Sequence, residues 1–214
     1  MSHQPPRSAR IKFWFDFGSN YSYPAVMRVD ELVADSDIRV VWRPFLLGPI
    51  FRSFGSETSP FVLQREKGAY VWRDMERQCA KYDLPWKRPT IFPRRAILPM
   101  RVAILGSNSP WISAYNKQIM LMNFAEDRDI EAPELVGEVL QGLGLPAPEI
   151  LRAAQTDENK LRLREQTETA RTRGIFGAPT FFVGGEMFWG NDRLEDALDF
   201  ARKQIEHTES RRKD

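Results

Sequence analysis

The chain has 214 residues, 42% of them hydrophobic and 28% charged, and its formal net charge at pH 7 is +2. These values are typical of a globular enzyme, and so small a net charge argues against nucleic acid or a membrane surface as a partner. The single cysteine excludes an intramolecular disulfide, and the absence of a signal-peptide core and of any ~20-residue apolar span predicts a cytoplasmic protein.

The first elements predicted along the chain form a β-α-β unit. Residues 11–17 (IKFWFDF) are dense in aromatic side chains, as expected of a buried strand. A loop at 18–20 leads into residues 21–33, where apolar side chains recur at helical spacing, and residues 39–43 have the composition of a second strand. A connection of this length and type places the two strands parallel.

Helices are predicted through the middle of the chain. Prolines lie near most of their boundaries, and Pro99 inside one of them predicts a kink or a break there. The five predicted helices cover residues 61–82, 94–105, 111–124, 133–143 and 159–173.

Two more strands are predicted near the end of the chain. Residues 180–183 and 186–189 flank a two-glycine turn, which predicts a hairpin, and a last helix is predicted over 193–205. We therefore predict an α/β fold in which both ends of the chain form one four-stranded sheet. Its discontinuous domain comprises residues 10–48 and 174–206, and residues 49–173 form an inserted helical domain.

The residue composition excludes several kinds of catalytic and metal site. His3 and His207 lie in polar tails, so catalysis through Ser-His-Asp or Cys-His lacks its central residue, and zinc lacks a ligand cluster. Phosphate-binding glycine loops are also absent. The basic runs 171–173 and 211–213 are interpreted as solvated helix ends. Chemistry must therefore use hydroxyls, carboxylates, arginines, backbone amides or a bound cofactor.

Four segments together resemble the 2-hydroxychromene-2-carboxylate isomerases and the kappa-class glutathione transferases, which are DsbA-like members of the thioredoxin superfamily. They occur in the order and spacing of that family, and they are residues 15–23 (FDFGSNYSY), 42–48 (WRPFLLG), 174–182 (GIFGAPTFF) and 188–194 (FWGNDRL). The resemblance spans residues 11–201 and is weakest in the helical part. It implies a thioredoxin-like fold, glutathione as cofactor and a homodimer.

The resemblance assigns roles to the first loop and to the start of the third strand. The segment 18–21 (GSNY) occupies the position of a redox CxxC, and without cysteine it cannot perform dithiol exchange. Pro179 occupies the position of the superfamily's cis-proline, so we expect the Ala178–Pro179 bond to be cis and the Ala178 backbone to pair with glutathione.

Ser19 is the predicted catalytic residue. It lies at or beside the N-terminus of the first helix, where unpaired amides and the helix dipole favour an anion. We expect its hydroxyl to donate a hydrogen bond to the glutathione thiolate rather than to act as a nucleophile. The alternative is that Ser19 is only a helix N-cap.

Further residues are assigned to the two ends of glutathione. Asn191 and Asp192 are predicted to bind the γ-glutamyl group, its carboxylate through backbone amides and its ammonium through the Asp192 side chain. Their alternative role is helix capping, which is compatible with binding. Lys67 matches a lysine of the kappa-like pattern and is predicted to bind the glycine carboxylate, with a solvated surface lysine as the alternative.

The substrate side of the site is assigned to the inserted helical domain and its borders. Arg94 and Arg95 resemble an arginine pair of the family and are predicted to bind the carboxylate of an aromatic substrate. The alternative is an exposed helix start. Phe45 and Phe92 are predicted to wall the substrate pocket, with Phe54, Trp72 and Trp86 as further aromatic candidates, and burial in the core is the alternative for each of them.

Three functions follow from the resemblance and stay open at this point. The first is a glutathione-dependent isomerase that acts by reversible thiolate addition to a conjugated aromatic carboxylate. The second is a kappa-like transferase that conjugates glutathione to an electrophile. The third is a module that binds glutathione or a peptide without catalysis.

Overall fold

The computed structural model describes residues 9–210, so His3 and the basic run 211–213 lie outside the described residues. The four strands are β1 (Ala9–Phe15), β2 (Ile38–Pro44), β3 (Thr180–Val183) and β4 (Glu186–Trp189). Within residues 9–210, no helix is both long enough and apolar enough to cross a bilayer.

Helices account for most of the rest of the described chain. A short 3-10 helix at Asn191–Arg193 precedes the last of them. The helices are α1 (Ser22–Val33), α2 (Leu47–Ser53), α3 (Pro60–Leu63), α4 (Arg65–Lys81), α5 (Ile97–Leu105), α6 (Ile112–Phe124), α7 (Pro133–Gly142), α8 (Ala147–Ala154), α9 (Asp157–Thr172) and α10 (Leu194–Ser210).

The two ends of the chain form one mixed sheet. Its strand order is β2-β1-β3-β4, with β1 parallel to β2 and antiparallel to β3, and β3 antiparallel to β4. Gly184 adopts a positive φ of 59° in the hairpin turn, a conformation that suits a glycine. The predicted four-stranded α/β fold with a large helical insertion is confirmed.

Alternation along β1 places a cluster of aromatic rings at the centre of the core. Phe13 is fully buried, and its ring centroid lies 5.0 Å from that of Trp42 on β2 and 4.7 Å from that of Phe181 on β3. The same continuous core includes Met75 of α4 and Met100 of α5. The division into two domains stays a prediction, because one core runs through both predicted parts.

The helical block differs from its prediction in several places. The helix predicted at 61–82 is broken at Gln64, whose backbone is extended, so that α3 and α4 are separate. Pro99 lies in the first turn of α5, where a missing N–H removes no helix hydrogen bond, and the predicted kink is therefore absent. Helices α2 and α8 were not predicted, because each is short and carries a proline in its first turns.

A buried ion pair fixes the loop that leads into α5. The Arg94 guanidinium pairs with Asp127 and also donates to the Asn123 side chain at 3.1 Å. The Thr90 amide donates to the Asp127 carboxylate at 2.9 Å. This hydrogen bond and the Arg94 guanidinium hold the pKa of Asp127 at about 2, well below its ordinary value of 3.8.

The Asp127 interaction predicts how stability depends on acid. Because the pKa of Asp127 is depressed in the folded state, its contribution to stability is present above pH 3.8 and is lost as pH falls through about 2. We expect Asp127→Asn to lower the melting temperature at pH 5 and to flatten its decline between pH 4 and pH 2. Thermal melts of wild type, Asp127→Asn and the exposed control Asp199→Asn measure this. Parallel declines in all three proteins would contradict it.

Candidate active site

A cavity of about 910 Å³ opens where β1 passes into α1. This volume is at the upper end of the range for small-molecule sites, roughly 300–1,000 Å³. The wall is mostly apolar, with a few polar and charged side chains at defined places. Seven stretches of chain contribute to it, namely residues 16–21, 46–52, 57–61, 67–71, 92–97, 176–178 and 189–190.

Ser19 and Ala178, which are 159 residues apart, meet in this wall. The Ser19 side chain is 6% exposed, and its hydroxyl donates a hydrogen bond of 2.8 Å to the Ala178 carbonyl oxygen. The Ala178–Pro179 peptide bond is cis, as expected. The structure therefore brings the predicted catalytic residue and the predicted peptide-binding residue into direct contact.

The loop around Ser19 provides donors for an anion. The Ser22 amide donates to the Ser19 hydroxyl oxygen at 3.3 Å, so capping of α1 and a catalytic role are compatible at this residue. Among the described residues, no acceptor is bound by the backbone amides of Asn20 and Tyr21, which immediately precede α1. These amides and the Ser19 hydroxyl are the groups that would stabilise a thiolate here.

Asp16 is a site residue that the sequence analysis missed. Its carboxylate is 8% exposed and accepts hydrogen bonds from the Gly18 amide at 2.8 Å and the Leu47 amide at 2.7 Å. Burial raises the pKa of Asp16, and the two amide donors oppose that effect. One buried carboxylate thus ties the Ser19 loop to the first residue of α2, and both of these segments line the cavity.

Arg94 does not present its charge to the cavity, which corrects the prediction that it binds substrate. Its side chain is buried and its guanidinium is occupied by Asp127, Asn123 and Thr90. The neighbouring Arg95 is exposed in the cavity wall and, within residues 9–210, makes no hydrogen bond or ion pair. Of the predicted arginine pair, only Arg95 is available to a ligand.

The aromatic residues predicted to line the cavity also differ in where the structure places them. Phe92 lines the cavity, whereas Phe45 is fully buried against Trp14 in a second core cluster, so the prediction that Phe45 contacts substrate is wrong. Trp72 and Trp86 are stacked on each other outside the cavity wall, with ring centroids 6.2 Å apart. Both rings are half-buried, and Trp72 also contacts the Phe92 ring, so they stabilise the fold beside the cavity and do not line it.

Two exposed aromatic rings that the sequence analysis did not assign form one side of the cavity mouth. Phe176 and Trp189 contact each other edge to face with ring centroids 4.7 Å apart. A β-carbon on Gly177 would overlap the Trp189 indole, so glycine is needed for this close approach. The sequence did carry a sign of these two rings, because Phe176 and Trp189 are aromatic residues within the family-like segments 174–182 and 188–194.

Two further cations face the cavity beside Arg95. Lys67 lies in the wall, with its ammonium 5.9 Å from the centre of the Phe61 ring, and its binding of the glycine carboxylate stays a prediction. Arg52 on α2 also lies in the wall and was not predicted. Within residues 9–210, neither forms an ion pair, so the cavity has an apolar interior and a rim that carries these three cations together with one acidic residue, Glu57.

The residues predicted to bind the γ-glutamyl group lie beside the cavity and not in its wall. The Asn191 side chain is buried, donating to Gln78 at 3.4 Å and accepting from Arg28 at 3.3 Å. Asp192 is exposed and pairs with Arg193 at 3.1 Å. Their role in binding stays a prediction that depends on backbone amides and on release of Asp192 from Arg193.

The Asp16 carboxylate predicts a local effect of substitution. Asp16→Asn keeps the shape of the side chain but replaces one acceptor oxygen with an NH2 group. A hydrogen bond to a charged group contributes about 1.5–3 kcal/mol, so we expect at least one of the Gly18 and Leu47 amides to exchange with solvent roughly 10–100-fold faster. Hydrogen exchange followed by NMR measures this.

A matched control is available for this substitution. Asp127 is a buried carboxylate that also accepts a backbone amide, so Asp127→Asn should leave exchange at Gly18 and Leu47 unchanged. Unaltered exchange of both amides in folded Asp16→Asn would show that the carboxylate does not hold the two loops.

Comparisons with known proteins agree with this architecture. A family model described as a DSBA-like thioredoxin domain matches residues 10–201. The 2-hydroxychromene-2-carboxylate isomerase of Pseudomonas putida is 27% identical over 185 residues, covering 86% of this chain and 90% of that protein. Glutathione S-transferase kappa 1 of Caenorhabditis elegans is 25% identical over 219 residues, covering 92% of this chain and 93% of that protein.

Solved structures show the same fold. A 2-hydroxychromene-2-carboxylate isomerase matches with a TM-score of 0.84 at 24% identity, covering 94% of this chain and 98% of that chain. Cytosolic disulfide reductase DsbM from Pseudomonas aeruginosa with GSH matches with a TM-score of 0.61 at 16% identity, covering 92% and 99%. The resemblance predicted from the four segments is confirmed, and the chain belongs to the DSBA-like thioredoxin domain family.

Proposed function

We propose that this protein is a glutathione-dependent isomerase of aromatic carboxylic acids, similar to 2-hydroxychromene-2-carboxylate isomerase. The observation that carries the proposal is the 2.8 Å hydrogen bond from Ser19 to Ala178 in the wall of a cavity that has an apolar interior and a cationic rim. A thiol-activating hydroxyl and a peptide-pairing backbone group are thereby adjacent. Relatives named as isomerases support the assigned reaction, and relatives named as kappa glutathione transferases support the use of glutathione.

The residues present fit glutathione. Within residues 9–210 the Ala178 amide donates no hydrogen bond, and its carbonyl accepts only the Ser19 hydroxyl. Rotation of that one hydroxyl toward a bound sulfur would therefore release both backbone groups of Ala178 for an extended peptide. Lys67 and Arg52 are unpaired cations for a carboxylate.

When bound, glutathione supplies a thiolate whose reversible addition to a conjugated C=C bond permits rotation about that bond. The chain's part is to lower the pKa of the thiol, with the Ser19 hydroxyl and the free amides of Asn20 and Tyr21 as donors. Asp16 holds these donors against α2. Arg95 orients the substrate carboxylate, and Phe92 and Phe176 exclude water around the aromatic ring.

A kappa-like transferase is the second candidate, because the cavity and the Caenorhabditis elegans relative are compatible with a stable conjugate. The two reactions are separated by their products. An isomerase returns glutathione unchanged, whereas a transferase yields a covalent adduct visible by mass spectrometry. Glutathione binding without turnover of either kind would support a non-enzymatic module. The homodimer stays a prediction from the resemblance, and the cytoplasmic location stays a prediction from the sequence composition.

Removal of the Ser19 hydroxyl tests the assigned chemistry. We expect Ser19→Ala to lower kcat for isomerisation of hydroxychromene-carboxylate about 100-fold, as for loss of one donor to a developing anion. The pKa of bound glutathione, followed by thiolate absorbance, should rise. Ser22→Ala is the matched control, since Ser22 is a buried serine at the same helix start and its hydroxyl has no hydrogen-bond partner within residues 9–210. Full activity of Ser19→Ala, or activity without glutathione, would refute the mechanism.

Arg95 has a separate kinetic signature. Arg95→Gln removes a charged donor worth about 1.5–3 kcal/mol, so we expect KM for the aromatic acid to rise roughly 10–100-fold with glutathione affinity unchanged. Arg88→Gln in the same loop is the control, because Arg88 contacts Trp72 and does not line the cavity. Equal KM values in wild type and Arg95→Gln would remove Arg95 from the substrate site.

A further inference from the structure

The sheet face opposite the main core carries cations from two neighbouring strands. Residues Ile11, Phe13 and Phe15 of β1 face the main core, so Arg10 and Lys12 face the other way. Trp42 of β2 also faces the main core, which places Arg39 and Arg43 on the same face as Lys12. Two adjacent parallel strands thus present four positive charges on one surface.

A fifth cation reaches this surface from the end of α9. The Arg173 guanidinium lies over the Phe182 ring, 5.5 Å from its centre, and Phe182 is the β3 partner of Lys12 in the sheet. Partial burial and the charges of Arg173, Arg43 and Arg10 lower the pKa of Lys12. Burial and Arg173 likewise lower the pKa of Arg43. Like charges are therefore held close enough to repel one another.

Within residues 9–210, the cations on this face have no acidic partner. Among the described residues, no ion pair involves Arg10, Lys12, Arg39, Arg43 or Arg173, and no acidic side chain opposes the shift at Lys12. Arg43 reaches only the neutral amide oxygen of Gln166, at 3.4 Å. The Trp14 indole N–H, on the same face between Lys12 and the Ser19 loop, is buried without any acceptor.

Several other arginines of the chain do have acidic partners. Arg171, Arg193 and Arg202 each pair with an acidic residue three positions away in sequence. Residues 171–173 are all exposed at the end of α9, in agreement with their interpretation as a solvated helix end, but the two arginines differ in their contacts. Arg171 is neutralised at the surface, whereas Arg173 turns onto the sheet and joins Lys12 and Arg43.

We propose that Lys12, Arg43 and Arg173 form a binding site for a small anion of the phosphate class with at least two negative charges. Three cations from three different elements converge there, and guanidinium groups bind phosphate oxygens in a bidentate manner. A dianion would remove the mutual repulsion and supply the missing acceptors. This site is separate from the cavity and does not depend on the proposed isomerase activity.

The site is connected to the cavity by a short path. Trp14, Ala170, Ile175, Ala178 and Phe182 belong to one buried cluster, which adjoins Lys12 and Arg173 on the same face of the sheet. Arg173 directly precedes the segment 174–178, which carries Phe176 and Ala178 into the cavity wall. An anion on Arg173 would restrain the start of that segment, so glutathione affinity is a second quantity to measure.

Calorimetry with pyrophosphate as the probe, at constant ionic strength, tests the site in the full-length protein. We expect saturable binding by wild type and a higher melting temperature in its presence. Lys12→Gln and Arg173→Gln should each weaken binding roughly 10–100-fold, the range expected for loss of one charge-assisted contact. Arg171→Gln, on the same helix but already paired, should bind within about twofold of wild type, since surface pairs contribute little.

The outcomes are distinct. Absence of saturable pyrophosphate binding by wild type would overturn the proposal. So would folded Arg173→Gln and Lys12→Gln variants that bind pyrophosphate as tightly as wild type does. Malonate, a dianion with carboxylate oxygens, is the comparison ligand. Malonate binding as tight as that of pyrophosphate would overturn the assignment to the phosphate class. Far-UV circular dichroism checks that the variants are folded. We expect them to fold, because Lys12→Gln and Arg173→Gln each remove a positive charge that is repelled by its neighbours.

Discussion

The hydrogen bond between the Ser19 hydroxyl and the Ala178 carbonyl is the contact on which the candidate site depends. It joins residues from opposite ends of the chain, and it forms because β3 inserts beside β1 in the sheet. Every strand pairing in the order β2-β1-β3-β4 contributes to this placement. If β3 paired elsewhere, the loop before it would not face the start of α1, and the cavity would lose one wall.

Two carboxylates hold loops that contribute to the cavity wall near that contact. Asp16 binds the amides of Gly18 and Leu47, and Asp127 binds Arg94 and the Thr90 amide. Both place a negative charge in a poorly solvated position, where it is tolerated because hydrogen-bond donors surround it. The cations that stay unpaired, in contrast, are at the cavity rim and on the far face of the sheet. The structure thus separates charges that hold the fold from charges available to ligands.

Much of the fold could be predicted from sequence because its signals are local. The aromatic density of β1 indicates a strand, the two-glycine turn indicates a hairpin, and the spacing of apolar residues in α1 indicates a helix. Prediction failed where local signals were ambiguous or misleading. Gln64 interrupts a long helical pattern by adopting an extended conformation, and Pro99 occupies the one region of a helix that tolerates proline. Helix propensity alone does not distinguish these cases.

The sequence by itself determined the order of the four strands and of most helices, the position of Ser19 in a loop before a helix and the family resemblance of the chain. Only the tertiary structure decided which side chains face the cavity. Arg94 and Arg95 are neighbours with the same chemistry, yet one is neutralised by Asp127 and the other is exposed. Phe45 is buried and Phe176 is at the cavity mouth. The physical reason is that partners distant in sequence, which no local pattern encodes, determine where a side chain is stabilised.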